Sequence, residues 1–181
     1  ALALDALRHG WPVEVDGVLR LLPAETGLAP AAHAQRMLIS TARAATLKLA
    51  NQREAAAPEA PVLIRGADAF DLVAARVLAD PAMDLAHPFK GPFAADPLDH
   101  PRAAATAMDL ARLAGILPAF LVDPVDCGPE GGGAQAVSSA DLAEWKDPRH
   151  LVLASRARLP VEACEEAEIV AFRAADDLRE H

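Results

Sequence analysis

Apolar positions along this chain recur with two periods, one helical and one alternating, and the switches between them mark the elements. Leu2 to Arg8 carries Leu and Ala at helical spacing and runs into Gly10, a natural stop. Pro12-Val13-Glu14-Val15 and Val18-Leu19-Arg20-Leu21-Leu22 flank Asp16-Gly17, which predicts a β-hairpin closed by a tight turn. A short helix is expected over Ala29 to Arg36, then a strand Met37-Leu38-Ile39-Ser40, whose Ser40 or Thr41 caps a helix from Ala42 to Leu49. Asn51 to Pro61, rich in alanine and proline, predicts a surface connection. Val62 to Arg65 follows as a strand, with Gly66 as turn and Asp68 as cap of a helix to about Leu78, ended by Asp80-Pro81. Ala86 to Pro101 holds several prolines and predicts a long irregular loop, a usual place for function.

The second half opens on the most informative stretch. Ala104, Met108, Ala111 and Gly115 share a helical spacing, Gly115 suits the position after a helix end, and Ala119 to Val122 is a short apolar strand. Asp126 to Gly133 is glycine-rich without the spacing or the Lys-Ser/Thr of a phosphate loop, so it predicts a connector. Ser138-Ser139 is a capping signal for a helix to Lys146, and His150 to Ala154 is a strand. Strands alternate with helices but begin on a hairpin. The pattern therefore predicts an α/β protein of the α+β type, a mixed β-sheet covered by helices.

Composition narrows the partners. The 181 residues suit one sizeable core, and 4% aromatics without tyrosine offer few stacking platforms for bases. A formal charge of −9 argues against nucleic acid and against an anionic membrane surface. No apolar run is long enough for a bilayer, and the N-terminus lacks a signal-peptide pattern, so the expected location is cytoplasmic. Cys127 and Cys164 form no CxxC pair and suit reduced thiols better than a disulfide or a thiolate zinc site. A chain that starts at Ala1 and stops at Glu180-His181 is expected to be a piece of something longer.

The stretch from Ala105 to Val122 resembles 3,4-dihydroxy-2-butanone 4-phosphate synthase, an enzyme of riboflavin biosynthesis. Its late helix reads Gly-His-Thr-Glu-Ala-Ala-Val-Asp-Leu-Ala-Arg-Leu-Ala-Gly before a Pro-Ala strand, matched here from Asp109 to Gly115 and at Pro118-Ala119. The resemblance implies a three-layer sandwich around a mixed sheet and a homodimer. It places the family's metal-binding histidine at Ala103 and its catalytic glutamate at Ala105. The family's acid-rich loop after its first strand is replaced by the tight Asp16-Gly17 turn. Conversion of ribulose 5-phosphate to the butanone phosphate and formate needs Mg²⁺ and carboxylates that move protons, and methyl groups supply neither.

The tail resembles the opening of a GTP cyclohydrolase II domain, through Arg156-Ala157-Arg158-Leu159-Pro160 and the strand Glu168 to Arg173. This implies a synthase-like domain over 1–155 and, over 156–181, a linker and the first strand of a second domain. That strand is expected to lack a sheet partner here. Zinc would belong to the downstream cyclohydrolase part, whose cysteines are not Cys127 and Cys164.

Other residues are candidates for a rebuilt site. Glu14 and Asp16, alternating on one strand face, suit a cation or simply a solvated hairpin edge. His100 lies three residues before the expected histidine, next to Asp99. Lys90, between Phe89 and Phe93, suits a phosphate, as do Arg43 and Arg65; the alternative is a stiff loop with both rings buried. The expected function is a degenerate synthase-like domain that stabilises, dimerises or regulates a GTP cyclohydrolase II, itself without cofactor. The alternatives are an active Mg²⁺-dependent synthase using Glu14, Asp16 or His100, and a sensor of sugar phosphate or nucleotide.

Overall fold

In the computed structural model the described residues are 1–49, 52–57, 59–127, 133–164 and 166–174. Most of the glycine-rich connector and part of the 51–61 connection fall outside them, as do residues 175–181. Two compact units divide the chain, Ala1–Ser139 and Ala140–His181.

The first unit is a seven-stranded mixed sheet in the order β5-β4-β3-β6-β2-β1-β7. Its strands are β1 (Val13–Val15), β2 (Leu19–Pro23), β3 (His33–Ile39), β4 (Val62–Asp71), β5 (Ala94–Asp96), β6 (Ala119–Val122) and β7 (Gln135–Val137). The helices are α1 (Leu2–Arg8), α2 (Thr41–Thr46), α3 (Leu72–Ala79) and α4 (Pro101–Ala114). Among the described residues all its pairings are antiparallel except β1 with β7.

The first hairpin forms as the sequence predicts. Asp16 and Gly17 both take positive φ, 53° and 67°, and Val18 N–H donates to the Val15 carbonyl at 3.1 Å. A right-twisted two-residue turn requires that backbone, which glycine adopts freely and aspartate tolerates.

Alternation along the strands sorts the core into two faces. Leu22, Met37, Ile39, Ile64 and Leu121 share one core cluster with Ala44 of α2 and Leu72, Ala75 and Leu78 of α3. Val13, Val15, Leu21 and Phe120, all fully buried, point the other way, where α1 packs on α4 and both meet β1. Helices thus cover both faces of the sheet. Among the described residues, no helix is long and apolar enough to cross a membrane.

Two local expectations give way to strand pairing. The segment Ala29 to Arg36 is not a helix: β3 begins at His33, bonded between β4 and β6, and those ladders override the helix propensity of its alanines. Gly66 is not a turn either. β4 runs through it to Asp71, with a register shift opposite Ala34/Arg36, and a Cβ on Gly66 would sit 3.0 Å from the Asp68 carbonyl oxygen and 3.1 Å from the Phe70 ring. The cap consequently moves from Asp68 to Asp71, whose Oδ1 accepts from Ala74 N–H at 2.7 Å. The loop from Ala86 to Pro101 contains the short edge strand β5.

Helix α5 (Ser139–Trp145) leads into the second unit, where β8 (Leu151–Arg158) pairs with β9 (Glu168–Ala174) as a two-stranded antiparallel ribbon. The register runs from Leu151↔Ala174 to Arg158↔Glu168, with a bulge between Leu153 and Ser155. The strand expected at 150–154 forms within this ribbon, and the compact units divide after Ser139. One expectation changes here. The tail strand has a partner, because its apolar run Ile169 to Phe172 finds β8 next to it.

Candidate functional site

Helix α4 is built to pack closely. Pro101 occupies its first turn, where a missing N–H costs nothing, and Gly115 ends it at φ 74°. Arg8 reaches across from α1 and donates to the carbonyls of Ala114 and Leu113, each at 3.1 Å. Ala103, Ala107, Leu110 and Ala114 form the buried stripe, flanked by Ala104, Thr106 and Ala111. Ala111 is fully buried as expected, whereas Met108 sits half-buried at the rim. Of the two positions aligned with the family's metal-binding histidine and its glutamate, Ala103 is 2% exposed and Ala105 is on the surface.

The turn after β1 and the segment before α4 meet. Val18 and Leu19 from the turn, Arg36 and Leu38 from the sheet, and Asp99 and His100 from the segment before the helix line a cavity of about 160 Å³. Asp123, after β6, holds Arg36 at its mouth with a 3.1 Å ion pair.

The three sequence candidates for a rebuilt site do not converge on it. Glu14 pairs in register with Arg20 on the face opposite to Val13 and Val15, and so points away from the cavity. Asp16 leaves the strand at its positive φ, which breaks the expected alternation with Glu14. Its carboxylate instead accepts from Ser139 N–H at 2.7 Å and from the Ser139 hydroxyl at 2.5 Å, while Thr106 Oγ1 donates to the same Ser139 oxygen at 2.8 Å. The Ser139 hydroxyl, then its amide, hold the Asp16 carboxyl below the usual range, and nearby Arg102 adds to this against the cost of burial. Asp16 therefore anchors Ser139, a role hidden from sequence reasoning by a separation of 123 residues. His100 alone of the three lines the cavity; it is the N-cap residue of α4 and makes no side-chain capping bond.

Lys90 and Arg43 do come together, around a residue that sequence reasoning missed. Arg43 donates through Nη1 and Nη2 to Asp84 at 2.7 and 2.6 Å and through Nε to the Leu78 carbonyl at 2.6 Å. Lys90 Nζ donates to the same carboxylate and to the Val77 carbonyl, each at 2.5 Å. Both cationic side chains are buried, at 6% and 8% exposure, and the Arg43 and Lys90 bonds hold the Asp84 carboxyl far below its usual range. The arrangement is a latch that fixes the 84–93 loop to α2 and α3. Its partners lie in separate elements with no shared period, so only the fold reveals it. Arg65 pairs with Asp96 at 3.1 Å. The two phenylalanines part company: Phe93 packs on Phe70 at 6.0 Å between centroids, whereas Phe89 is 98% exposed.

Cys127 and Cys164 are both free thiols, and burial pushes the Cys127 thiol up, away from thiolate reactivity. Among the described residues, no three His, Cys, Asp or Glu side chains are grouped as a metal-binding set. No protein-family model matches the sequence, and no curated protein matches it.

Proposed function

We propose that this chain is a degenerate 3,4-dihydroxy-2-butanone 4-phosphate synthase-like domain of a riboflavin-biosynthesis protein, with GTP cyclohydrolase II as its downstream catalytic part. On this reading the seven-stranded unit is the synthase-like three-layer sandwich, and the β8–β9 ribbon opens the cyclohydrolase part. The role of the chain is structural: it dimerises and orients its neighbour.

One observation carries the reading. The two segments that would build the synthase site, the turn after the first strand and the segment before α4, face one cavity, yet the position aligned with the metal ligand is a methyl group closed into the core. On this reading the chain keeps the scaffold of the site and has lost its chemistry. Ala105, aligned with the catalytic glutamate, offers no carboxylate.

Sedimentation equilibrium tests the structural role, with a homodimer as the expected species. A chain that stays monomeric at tens of micromolar, a range in which specific interfaces of standard size are populated, overturns it. A sensor reading draws on the same cavity, where an anion would meet His100 and would have to compete with Asp123 for Arg36. Saturable binding of ribulose 5-phosphate without turnover would favour that role over a purely structural one.

A further inference from the structure

Trp11 is one of two tryptophans in the chain and stands 49% exposed, although burying so large a ring is a main source of stability for a domain with few aromatics. It is not loose. Its backbone N–H donates to the Ala6 carbonyl at 2.9 Å, and His9 stacks on its ring with centroids 5.2 Å apart and planes 26° from parallel. The exposed His9 ring thereby covers one face of the indole.

Leu2, Asp5, Ala6, Trp11, Pro12 and Gln135 line a concavity of about 340 Å³ beside α1 and the start of β1. That volume falls in the range of small-molecule sites, about 300–1,000 Å³. Its walls are apolar and aromatic. Its one charged lining group among the described residues is Asp5, with no Lys or Arg to balance it. Asp5 Oδ1 lies 3.4 Å from His9 Nδ1, which ties the carboxylate to the residue that stacks on Trp11.

An electron-rich ring face beside a carboxylate is the arrangement that recognises an organic cation: the ring quadrupole attracts the charge, the apolar walls take the alkyl stem, and the carboxylate accepts its N–H bonds. The −9 chain draws such a ligand in over long range. We propose that the Trp11–Asp5 concavity binds a small organic cation, a guanidinium or primary ammonium group on a short alkyl stem. This site shares no lining residue with the cavity beside Asp99 and His100 and does not depend on the function proposed above.

The probes are butylguanidinium and butylurea, which share a shape but differ in charge. Trp145→Phe leaves Trp11 as the only tryptophan of the chain, so its fluorescence reports the site directly. Saturable quenching is expected with butylguanidinium, with butylurea weaker by about tenfold or more. Asp5→Asn should reduce butylguanidinium affinity by a similar factor, and Trp11→Leu should abolish it in a calorimetric titration, with Trp11→Phe in between. Equal binding of the two probes, or no saturable signal with butylguanidinium, overturns the proposal. So does an Asp5→Asn variant that binds unchanged. The probe pair needs no substitution in the lining, so the test stands even where Trp11→Leu does not fold.

Discussion

Replacing Ala103 by histidine restores the residue type that the synthase resemblance puts at this position, and the structure sets its cost. Ala103 is 2% exposed and shares its helix face with Ala107, Leu110 and Ala114. An imidazole there adds a ring to an interior already closed by small side chains. Overpacking contributes about 1–3 kcal/mol. Ring nitrogens left without partners add about 1–3 kcal/mol more. A total near 3 kcal/mol lowers Tm by about 6–12 °C in a chain of this size. Ala105→Glu is the control: that position is exposed, and the change stays within about 0.5 kcal/mol of the parent. Thermal unfolding followed by far-UV circular dichroism reads both variants. If Ala103→His melts within about 2 °C of the parent, less than 1 kcal/mol of cost, the position has room for a ligand and the core-closure argument fails.

Arg43→Met should lower Tm more than Lys90→Met, because losing Arg43 removes the bidentate arm on Asp84 while losing Lys90 leaves it in place; equal effects would refute the latch geometry. The folded-state pKa values of Asp84 and Asp16 lie below their ordinary 3.8, so the stabilisation they give is complete above that value and is lost as pH falls below it. Urea unfolding should therefore show a plateau near neutrality and a drop below about pH 4 that is shallower in Asp84→Asn. Ala111→Asp buries an unpaired carboxyl at a fully enclosed site and should cost several kcal/mol, roughly 3–5, or prevent folding; a parent-like melt would put the wrong face of α4 against the sheet. Deleting residues 160–181 removes β9, so amides of β8 should lose hydrogen-exchange protection while those of β3 and β6 keep theirs; protection retained in β8 would mean that the ribbon pairing is not what holds it.

Where local chemistry decides, the sequence was legible. The Asp16-Gly17 hairpin, α4 with its Gly115 stop and β6 behind it all follow from turn residues, caps and period. Where tertiary pairing competes with propensity, it was not. Ala29 to Arg36 has helix-forming alanines, but its second half fills the gap between two strands. Gly66 suggested a turn because a missing side chain marks a bend and a close-packed strand alike. The candidate site divides along the same line. The alanines at the two positions that the synthase resemblance gives to a histidine and a glutamate, Ala103 and Ala105, are plain in the sequence, and His100 does line the cavity. The partners of Asp16, Arg43 and Lys90 were not visible, since Ser139 and Asp84 carry no motif and meet them only through the fold.

The central claim is that a synthase-like scaffold persists here without synthase chemistry. Formate release from ribulose 5-phosphate in the presence of Mg²⁺ tests it most directly. The account predicts no release above the rate without protein, for the parent chain and for His100→Ala alike. Release proportional to protein concentration and lost in His100→Ala, with the variant melting like the parent, would contradict it and assign His100 to a working site.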